Sequence, residues 1–189
     1  MTLAILTVAL ALQPYRVRFE TSKGTMVIQV VPAWAPRAAE RFRELVRIGY
    51  YDDIRFFRVT PRWAQFGISG NPALAKKWRD ATLLDEDAGQ RKSNLRGTVA
   101  FAFAVPNGRS TQVFINLADN SRLDSEGFAP FGRVVEGMEV AAALYAGYGE
   151  SSGGGIRGGK QQPLFDGGNA WLDRQFPLLD SLLRARVLP

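Results

Sequence analysis

The sequence contains no cysteine and no histidine among its 189 residues. Their absence excludes disulfide bonds, metal sites built from thiolate or imidazole, and hydrolases of the Cys-His or Ser-His-Asp kind. We therefore expect a reaction that needs no activated nucleophile, no metal and no other cofactor. Without cysteines, the sequence leaves the redox compartment open.

Long hydrophobic runs are also scarce, and the clearest one is at the N-terminus. Met1–Ala11 is almost wholly apolar, Leu3–Leu10 resembles the hydrophobic region of a signal peptide, and Ala9–Ala11 has the small-x-small form of a cleavage site. No Lys or Arg precedes this run, and about ten residues are too few to span a bilayer. It is an abbreviated signal, a truncated longer one, or a buried strand. If this run is a signal peptide, we expect a periplasmic or secreted protein, and otherwise a cytoplasmic one. In neither case do we expect stable membrane insertion.

Neither sign of charge forms a large cluster, although the formal net charge is +6. The basic residues are scattered, and short groups such as Lys76–Arg79 predict a solvated loop, so we expect no nucleic-acid partner. The acidic run Asp85–Asp87 has no further carboxylates at calcium-loop spacing. We predict that this run is solvated surface.

A glycine-rich stretch, residues 147–168, has no periodicity and predicts a long surface loop. Within it, two glycines and Lys160 have the spacing of a phosphate-binding loop. However, Gln161 occupies the position that would need a hydroxyl for magnesium, and Pro163 argues against a helix starting there. We therefore predict no nucleotide site.

The rest of the sequence has the pattern of an all-β domain. Polar and apolar residues alternate along Tyr15–Glu20, as in a half-buried strand. Further strands are predicted over residues 25–31, 55–60, 64–68, 98–104, 111–116, 128–134 and 183–187. Helical spacing predicts two helices, from Pro36 to Gly49 and over Val135–Tyr145, and Asn169 is a candidate cap for a short one over Ala170–Phe176. Many short strands with two main helices favour a closed antiparallel barrel.

We divide the chain into a possible signal peptide or extension, the barrel, the glycine-rich loop, and a C-terminal helix with a closing strand of the same domain. These parts cover residues 1–13, 14–146, 147–168 and 169–189. The inward positions of the predicted strands carry bulky residues, namely Val17, Phe19, Val99 and Phe101. They predict a filled interior and argue against a small-ligand carrier, which needs an open one.

Two stretches of the chain fit a proline-binding site. The run Phe56-Phe57-Arg58 leads to Gln65, and Thr111–Asn116 supplies a second amide and an aromatic ring. An arginine, two amides and apolar side chains on one face of a sheet have the chemistry to hold a proline ring and polarise the bond before it. The strand 98–104 has alanines at alternate positions, and such a flat face lets a ligand approach.

The order of several motifs resembles the cyclophilins, which are peptidyl-prolyl cis/trans isomerases. The resemblance covers about residues 15 to 145. The motifs that carry it are Gly49–Asp52, Phe56–Val59 with Pro61, Gln65–Gly67, Gln112–Ile115 and Phe131–Met138. It implies a closed eight-stranded antiparallel barrel capped by two α-helices. The stretches Gly168–Leu172 and Phe176–Asp180 resemble extensions of a bacterial subgroup, in which we expect Trp171, Phe176 and Leu179 to pack onto the barrel exterior.

The resemblance also implies the roles of individual residues. Arg58 would be the catalytic arginine and Gln65 the catalytic amide near the substrate carbonyl. The expected substrate-binding residues are Phe57, Trp63, Ala64, Ala102, Phe103, Gln112, Phe114, Leu123 and Phe128. Such a protein would accelerate rotation about Xaa-Pro bonds in proline-containing polypeptides during folding, and we expect a monomer. The alternative is a proline-peptide binding module or chaperone with little turnover.

One departure from the family keeps that alternative open. Cyclophilins usually have four residues between the motif's proline and its glutamine, whereas only three separate Pro61 from Gln65 here. One residue fewer in an unbroken strand sends every later side chain to the other face. We predict that the turn at Pro61 absorbs the change, with Trp63 in place of the usual pocket phenylalanine and Ala64 in place of a methionine, which leaves a roomier pocket.

We predict weak cyclosporin binding and an altered peptide preference. Phe128 stands where many cyclophilins have histidine, and Arg122 where some have tryptophan. Both changes alter the chemistry of the pocket wall. A calorimetric titration measures the affinity directly, and a submicromolar dissociation constant would refute this expectation.

Overall fold

The computed structural model describes residues 13–87, 92–154 and 160–189. Its strands are β1 (Tyr15–Thr21), β2 (Gly24–Val30), β3 (Ile54–Arg55), β4 (Arg58–Val59), β5 (Trp63–Phe66), β6 (Thr98–Phe101), β7 (Val113–Asn116), β8 (Pro130–Glu136) and β9 (Ser181–Val187). Its α-helices are α1 (Pro36–Arg47), α2 (Pro72–Arg79), α3 (Met138–Ala142) and α4 (Gln162–Gln175), and a 3₁₀ helix covers Ser121–Asp124.

The strands form one antiparallel sheet, which curls. Its order is β3-β9-β1-β2-β8-β6-β7-β5-β4, so the two end strands are consecutive in the sequence. Only Phe56 and Phe57 separate β3 from β4, and this short link requires the sheet to bend round on itself. The predicted all-β barrel architecture is therefore confirmed, but the closed eight-stranded form is not. The predicted strand 55–60 divides at the two phenylalanines, which gives nine strands, and no ladder joins β3 to β4 within the described ranges.

The inside of the curled sheet is filled with aromatic side chains. The Phe42 and Phe131 rings lie 4.8 Å apart, and Phe19 meets Phe66 edge-on at 5.6 Å. All four residues predicted to point inward are buried: Val17, Phe19, Val99 and Phe101. The filled interior argues against a carrier for small ligands and places any binding site on the outside of the sheet.

Helix α1 is capped by a distant carboxylate. Its N-cap position, Ala35, offers no side-chain acceptor, whereas Glu86 accepts hydrogen bonds from the backbone nitrogens of Ala38, at 2.8 Å, and Arg37, at 3.4 Å. Glu86 is only 5 % exposed and pairs with the buried Arg109 at 3.3 Å. The prediction that Asp85–Asp87 is solvated surface is wrong at Glu86, because its contacts come from residues far away in the sequence.

Two further predictions about helices need correction. The predicted loop Lys76–Arg79 is the end of α2, which begins at Pro72 with the Asn71 side chain as its cap. The helix predicted over Val135–Tyr145 is only Met138–Ala142, since β8 continues to Glu136.

The prediction for the glycine-rich region, a loop through Gly168, also needs correction. Helix α4 begins at Gln162, so Pro163 lies in its first turn. Proline is tolerated at that position, and Pro163 therefore does not prevent the helix from starting there. The helix kinks at Gly168, where φ is 54° and a Cβ would clash with the carbonyl oxygen of Gly70. The predicted helix Ala170–Phe176 is thus the second half of a longer, kinked element.

The C-terminal residues pack against the outside of the barrel and also complete its sheet. Trp171, Phe176 and Leu179 join a second apolar cluster that contains Phe57, as expected for the extension. Strand β9 lies between β1 and β3 in the sheet.

The N-terminal segment Met1–Ala11 lies outside the described residues, so its role as a signal peptide stays a prediction. Among the described residues, the structure has no helix with the length and apolar character to cross a membrane.

We predict that Arg109→Leu lowers the free energy of unfolding by about 3 kcal/mol, because it removes a buried guanidinium that pairs with the buried Glu86 carboxylate. The matched control is Arg16→Leu, which removes an ion pair with Glu136 whose side chains are both more than half exposed. It should cost less than about 1 kcal/mol. Urea unfolding of the variants measures both effects. Equal losses for the buried and exposed pairs would contradict the assigned role of Glu86.

Candidate active site

The candidate site is a row of side chains on the outer face of four neighbouring strands. Arg58 on β4 lies opposite Gln65 on β5, and Gln65 lies opposite Phe114 on β7. Phe114 in turn lies opposite Ala100 on β6. Residues directly opposite each other in a sheet project from the same face, so the register brings these four together. The next row, Val59, Ala64, Ile115 and Val99, belongs to the buried core.

A pocket of about 240 Å³ lies over this row. Eight of the eleven predicted site residues are among its walls: the catalytic candidates Arg58 and Gln65, together with Trp63, Ala102, Phe103, Phe114, Leu123 and Phe128. Ala104, Arg122 and Glu126 also line it. The structure therefore brings the arginine, one amide and most of the expected apolar side chains to one cavity.

The other three predicted site residues, Phe57, Ala64 and Gln112, do not line this pocket. Phe57 and Ala64 are fully buried, so neither contacts a ligand in the pocket. Ala64 is next to Gln65 on β5 and therefore points into the barrel core. Phe57 lies in the link between β3 and β4 and packs with Leu164 and Leu172 of α4 in the second apolar cluster. Gln112 lines a neighbouring cavity of about 220 Å³ that it shares with Ala102.

The shortened segment before Gln65 is absorbed in the turn. The backbone nitrogen of Thr60 donates to the carbonyl oxygen of Trp63 at 2.9 Å, which closes the turn and keeps β4 and β5 in register. Trp63 lines the pocket, as expected, but Ala64 does not take the place of a pocket methionine. The predicted extra room at Ala64 is therefore absent from the pocket.

Arg58 is held by three kinds of contact. Its Nη1 donates to Oε1 of Gln65 at 2.9 Å, and its Nε and Nη2 each donate to Glu150 at 2.9 Å. The guanidinium carbon also lies 4.9 Å from the centre of the Trp63 ring, which is a cation–π distance. These contacts together place the cation at the edge of the pocket.

A chain of amides continues from Arg58 through the buried part of the site. Gln65 Nε2 donates to Gln112 Oε1 at 2.8 Å, and Gln112 Nε2 donates to Gln161 Oε1 at 2.8 Å. Gln161 Nε2 then donates to the carbonyl oxygen of Gly153 at 3.1 Å. An arginine can only donate and a carbonyl oxygen can only accept, so the two ends fix the orientation of all three amides.

The apolar part of the pocket is built mainly from aromatic rings. The rings of Phe103 and Phe128 stack at 4.3 Å, and Phe128 meets Phe114 edge-on at 5.7 Å. Phe114, Leu123 and Ala100 form one buried apolar cluster beneath them. This surface has the flat, apolar character that a proline ring requires.

The segment that carries Leu123 and Phe128 is anchored by hydrogen bonds between polar groups, of which Asn94 is buried. Asn94 donates from its side chain to Asp124 Oδ1 and to the carbonyl oxygen of Phe128, both at 2.8 Å. Ser93 Oγ donates to Asp124 Oδ2 at 2.5 Å. Burial raises the pKa of the Asp124 carboxyl, but the hydrogen bonds from Ser93 and Asn94 outweigh this effect, and the pKa lies below its ordinary value of 3.8.

Two polar residues that hold Arg58 and the amides of the site in place were not predicted from the sequence. Glu150 pairs with Arg58, and Gln161 ends the amide chain. Both lie in the stretch that was interpreted as a loop without periodicity, and Glu150 is 92 residues from its partner. Among the apolar residues, Ala100 was missed as a member of the buried cluster with Phe114 and Leu123, although its place on the flat face of β6 was a usable signal.

Comparison with known proteins agrees with this geometry. The family described as "Cyclophilin type peptidyl-prolyl cis-trans isomerase/CLD" matches residues 16–158. A peptidyl-prolyl cis-trans isomerase of Acinetobacter baylyi is 33 % identical over 141 residues, which cover 72 % of this chain and 74 % of that protein. One from Streptomyces antibioticus is 36 % identical over 137 residues, covering 68 % and 81 %.

Solved structures show the same fold. A cyclophilin-type isomerase of Cryptosporidium parvum superposes with a TM-score of 0.67 at 19 % identity, covering 94 % of this chain and 99 % of that one. A cyclophilin from Hirschia baltica gives 0.62 at 18 % identity, covering 92 % and 75 %. The fold and the site thus define a cyclophilin-like β-barrel with an arginine-containing pocket. The chain belongs to the cyclophilin-type peptidyl-prolyl cis-trans isomerases.

We predict that Asp124 stabilises the pocket wall in a pH-dependent manner. Because its pKa is lower in the folded than in the unfolded chain, its contribution is present above pH 3.8 and is lost as the pH falls through the lower, folded-state pKa. The difference in free energy of unfolding between the native chain and Asp124→Asn should therefore shrink on acidification. Urea unfolding at a series of pH values measures it, and a difference independent of pH would contradict the assignment.

Proposed function

We propose that this chain accelerates rotation about Xaa-Pro bonds in proline-containing polypeptides, with Arg58 as the catalytic group and the pocket over Phe114 as the seat of the proline ring. One observation carries the proposal: Arg58 and Phe114 line the same pocket, with Gln65 between them in the sheet. The proposal includes a role in protein folding. It also includes that the protein acts as a monomer and has no nucleic-acid partner.

The reaction needs a group that weakens amide resonance. That resonance creates a rotational barrier of about 18–20 kcal/mol, and an Xaa-Pro bond crosses it unaided in tens to hundreds of seconds, to order of magnitude. A hydrogen bond from a guanidinium to the prolyl nitrogen favours a pyramidal nitrogen whose lone pair is withdrawn from the carbonyl. This interaction is strongest in the twisted transition state, so it lowers the barrier rather than only binding the peptide.

Arg58 retains donors for this task. A guanidinium has about five N–H groups, and the contacts with Glu150 and Gln65 use three of them. The two that are left lie on Nη1 and Nη2, and neither has a partner among the described residues. They are the donors that we assign to the peptide.

Gln65 supplies a second donor of known orientation. Because its Oε1 accepts from Arg58, its NH₂ group faces the other way, and one N–H of that group is used by Gln112. The other is the donor that we assign to the substrate carbonyl oxygen. The apolar rings hold the proline side while the acyl side rotates, which is the positioning part of the proposed catalysis.

We predict that Arg58→Ala lowers kcat/KM for a short Xaa-Pro peptide by about 100-fold, since a charge-assisted hydrogen bond contributes up to about 3 kcal/mol. Arg58→Lys keeps the charge but cannot contact Glu150, Gln65 and the peptide together, so it should recover only part of the activity. The measurement is a cis-to-trans assay that uses no coupled protease.

The same assay separates the isomerase from a binding module. Peptide binding is measured beside the rate, by titration against the native chain. If the native chain binds the peptide but does not accelerate its isomerisation, the module or chaperone with little turnover is correct instead. If Arg58→Ala is as fast as the native chain, Arg58 is not the catalytic group.

A further inference from the structure

Glu150 contacts the guanidinium of Arg58 along one edge. Nε and Nη2 of Arg58 donate to Oε2 and Oε1 of Glu150, and both hydrogen bonds are 2.9 Å long. Two parallel bonds of this kind fix the plane of the guanidinium as well as its position, which a single bond does not. Gln65 accepts from the Nη1 side, so the group is held from two directions.

The segment Glu150–Gly154 that carries this carboxylate is itself fixed to the barrel. Ser152 Oγ donates to the carbonyl oxygen of Phe57 at 2.7 Å, and the backbone nitrogen of Gly154 donates to the carbonyl oxygen of Glu150 at 2.9 Å. Gly153 has a φ of 146°, and a Cβ there would lie 2.7 Å from the Phe57 ring. The segment is thus attached to the residue immediately before Arg58.

The contact leaves the pocket accessible. Glu150 is not among the residues that line the cavity shared by Arg58 and Phe114. Its side chain is 51 % exposed, whereas that of Arg58 is 21 % exposed. The carboxylate therefore holds the guanidinium from outside the pocket and does not occupy the place that we assign to the peptide.

We propose that Glu150 is a positioning residue for the isomerase reaction. It orders the Arg58 guanidinium before the peptide binds. It also leaves unused the two N–H groups that we assign to the peptide. An arginine ordered in advance loses less conformational freedom when it meets the twisted bond, so the benefit appears in the transition state. This inference rests on the proposed function of Arg58, and it adds a residue outside the pocket to the catalytic arrangement.

The first test is Glu150→Gln, assayed for isomerisation of a short Xaa-Pro peptide. Glutamine keeps the size of the side chain but faces one N–H of Arg58 with its NH₂ group, so the paired contact is lost. We expect kcat/KM to fall by about tenfold, mainly through kcat. Glu150→Asp keeps the charge, and it should recover part of the loss. In an Arg58→Lys background, Glu150→Gln should have little further effect, because lysine cannot make the paired contact.

The second test reads the arginine directly and does not depend on activity. NMR of the Arg58 Nε–H group reports its exchange with water and the order of the guanidinium. We expect a protected, ordered group in the native chain and faster exchange in Glu150→Gln, with thermal unfolding of the two proteins unchanged.

The matched control is Asp173→Asn. Asp173 holds Arg55 by two parallel hydrogen bonds of 2.7 and 2.9 Å, away from the pocket. This variant should leave kcat/KM unchanged. If Glu150→Gln is as active as the native chain or more active, Glu150 does not position Arg58 and the inference fails. If the native chain is itself inactive, the proposed function fails instead.

Discussion

The site depends on a chain of hydrogen bonds that can run in only one direction. It begins at Arg58, which has no acceptor, and it ends at the Gly153 carbonyl oxygen, which has no donor. Between these two ends, each of Gln65, Gln112 and Gln161 accepts at Oε1 from the Arg58 side and donates from Nε2 toward Gly153. The three amides are 8 % exposed or less, so water does not compete freely for their groups. The chain therefore fixes both the arginine and the free N–H of Gln65, and it connects the barrel to the start of α4.

The sheet register explains why the site and the core are built from the same strands. Each strand sends alternate residues to the two faces, and the outer row of Arg58, Gln65 and Phe114 is matched by an inner row of buried apolar residues. A shift of one residue would exchange the two rows. The turn at Thr60 and Trp63 keeps the rows in place although the segment is shorter than usual in the family. Packing of the core thus positions the polar groups of the pocket.

The sequence predicted those parts of the site that follow local rules. Arg58, Gln65 and Phe114 lie on strands whose alternation is visible, and their order along the chain identified the family. The same alternation would have excluded Ala64, which is the neighbour of Gln65 on β5 and so faces the core. Phe57 lies in the link between β3 and β4, and its burial against α4 depends on residues more than 100 positions later. Glu150 and Gln161 could not be found in this way, because their partners are far away in the sequence and no periodic pattern surrounds them. Helix α4 was hidden by Pro163 and by the kink at Gly168.

The position of β9 has a consequence for the biosynthesis of this protein. This strand is made after the other eight, yet it lies inside the sheet, between β1 and β3. Until Ser181–Val187 leave the ribosome, the facing edges of β1 and β3 have no partner, and unpaired strand edges are prone to association with other chains. The barrel therefore cannot be completed before β9 has left the ribosome, and during that interval the two open edges expose the nascent chain to the strand pairing that the finished sheet prevents.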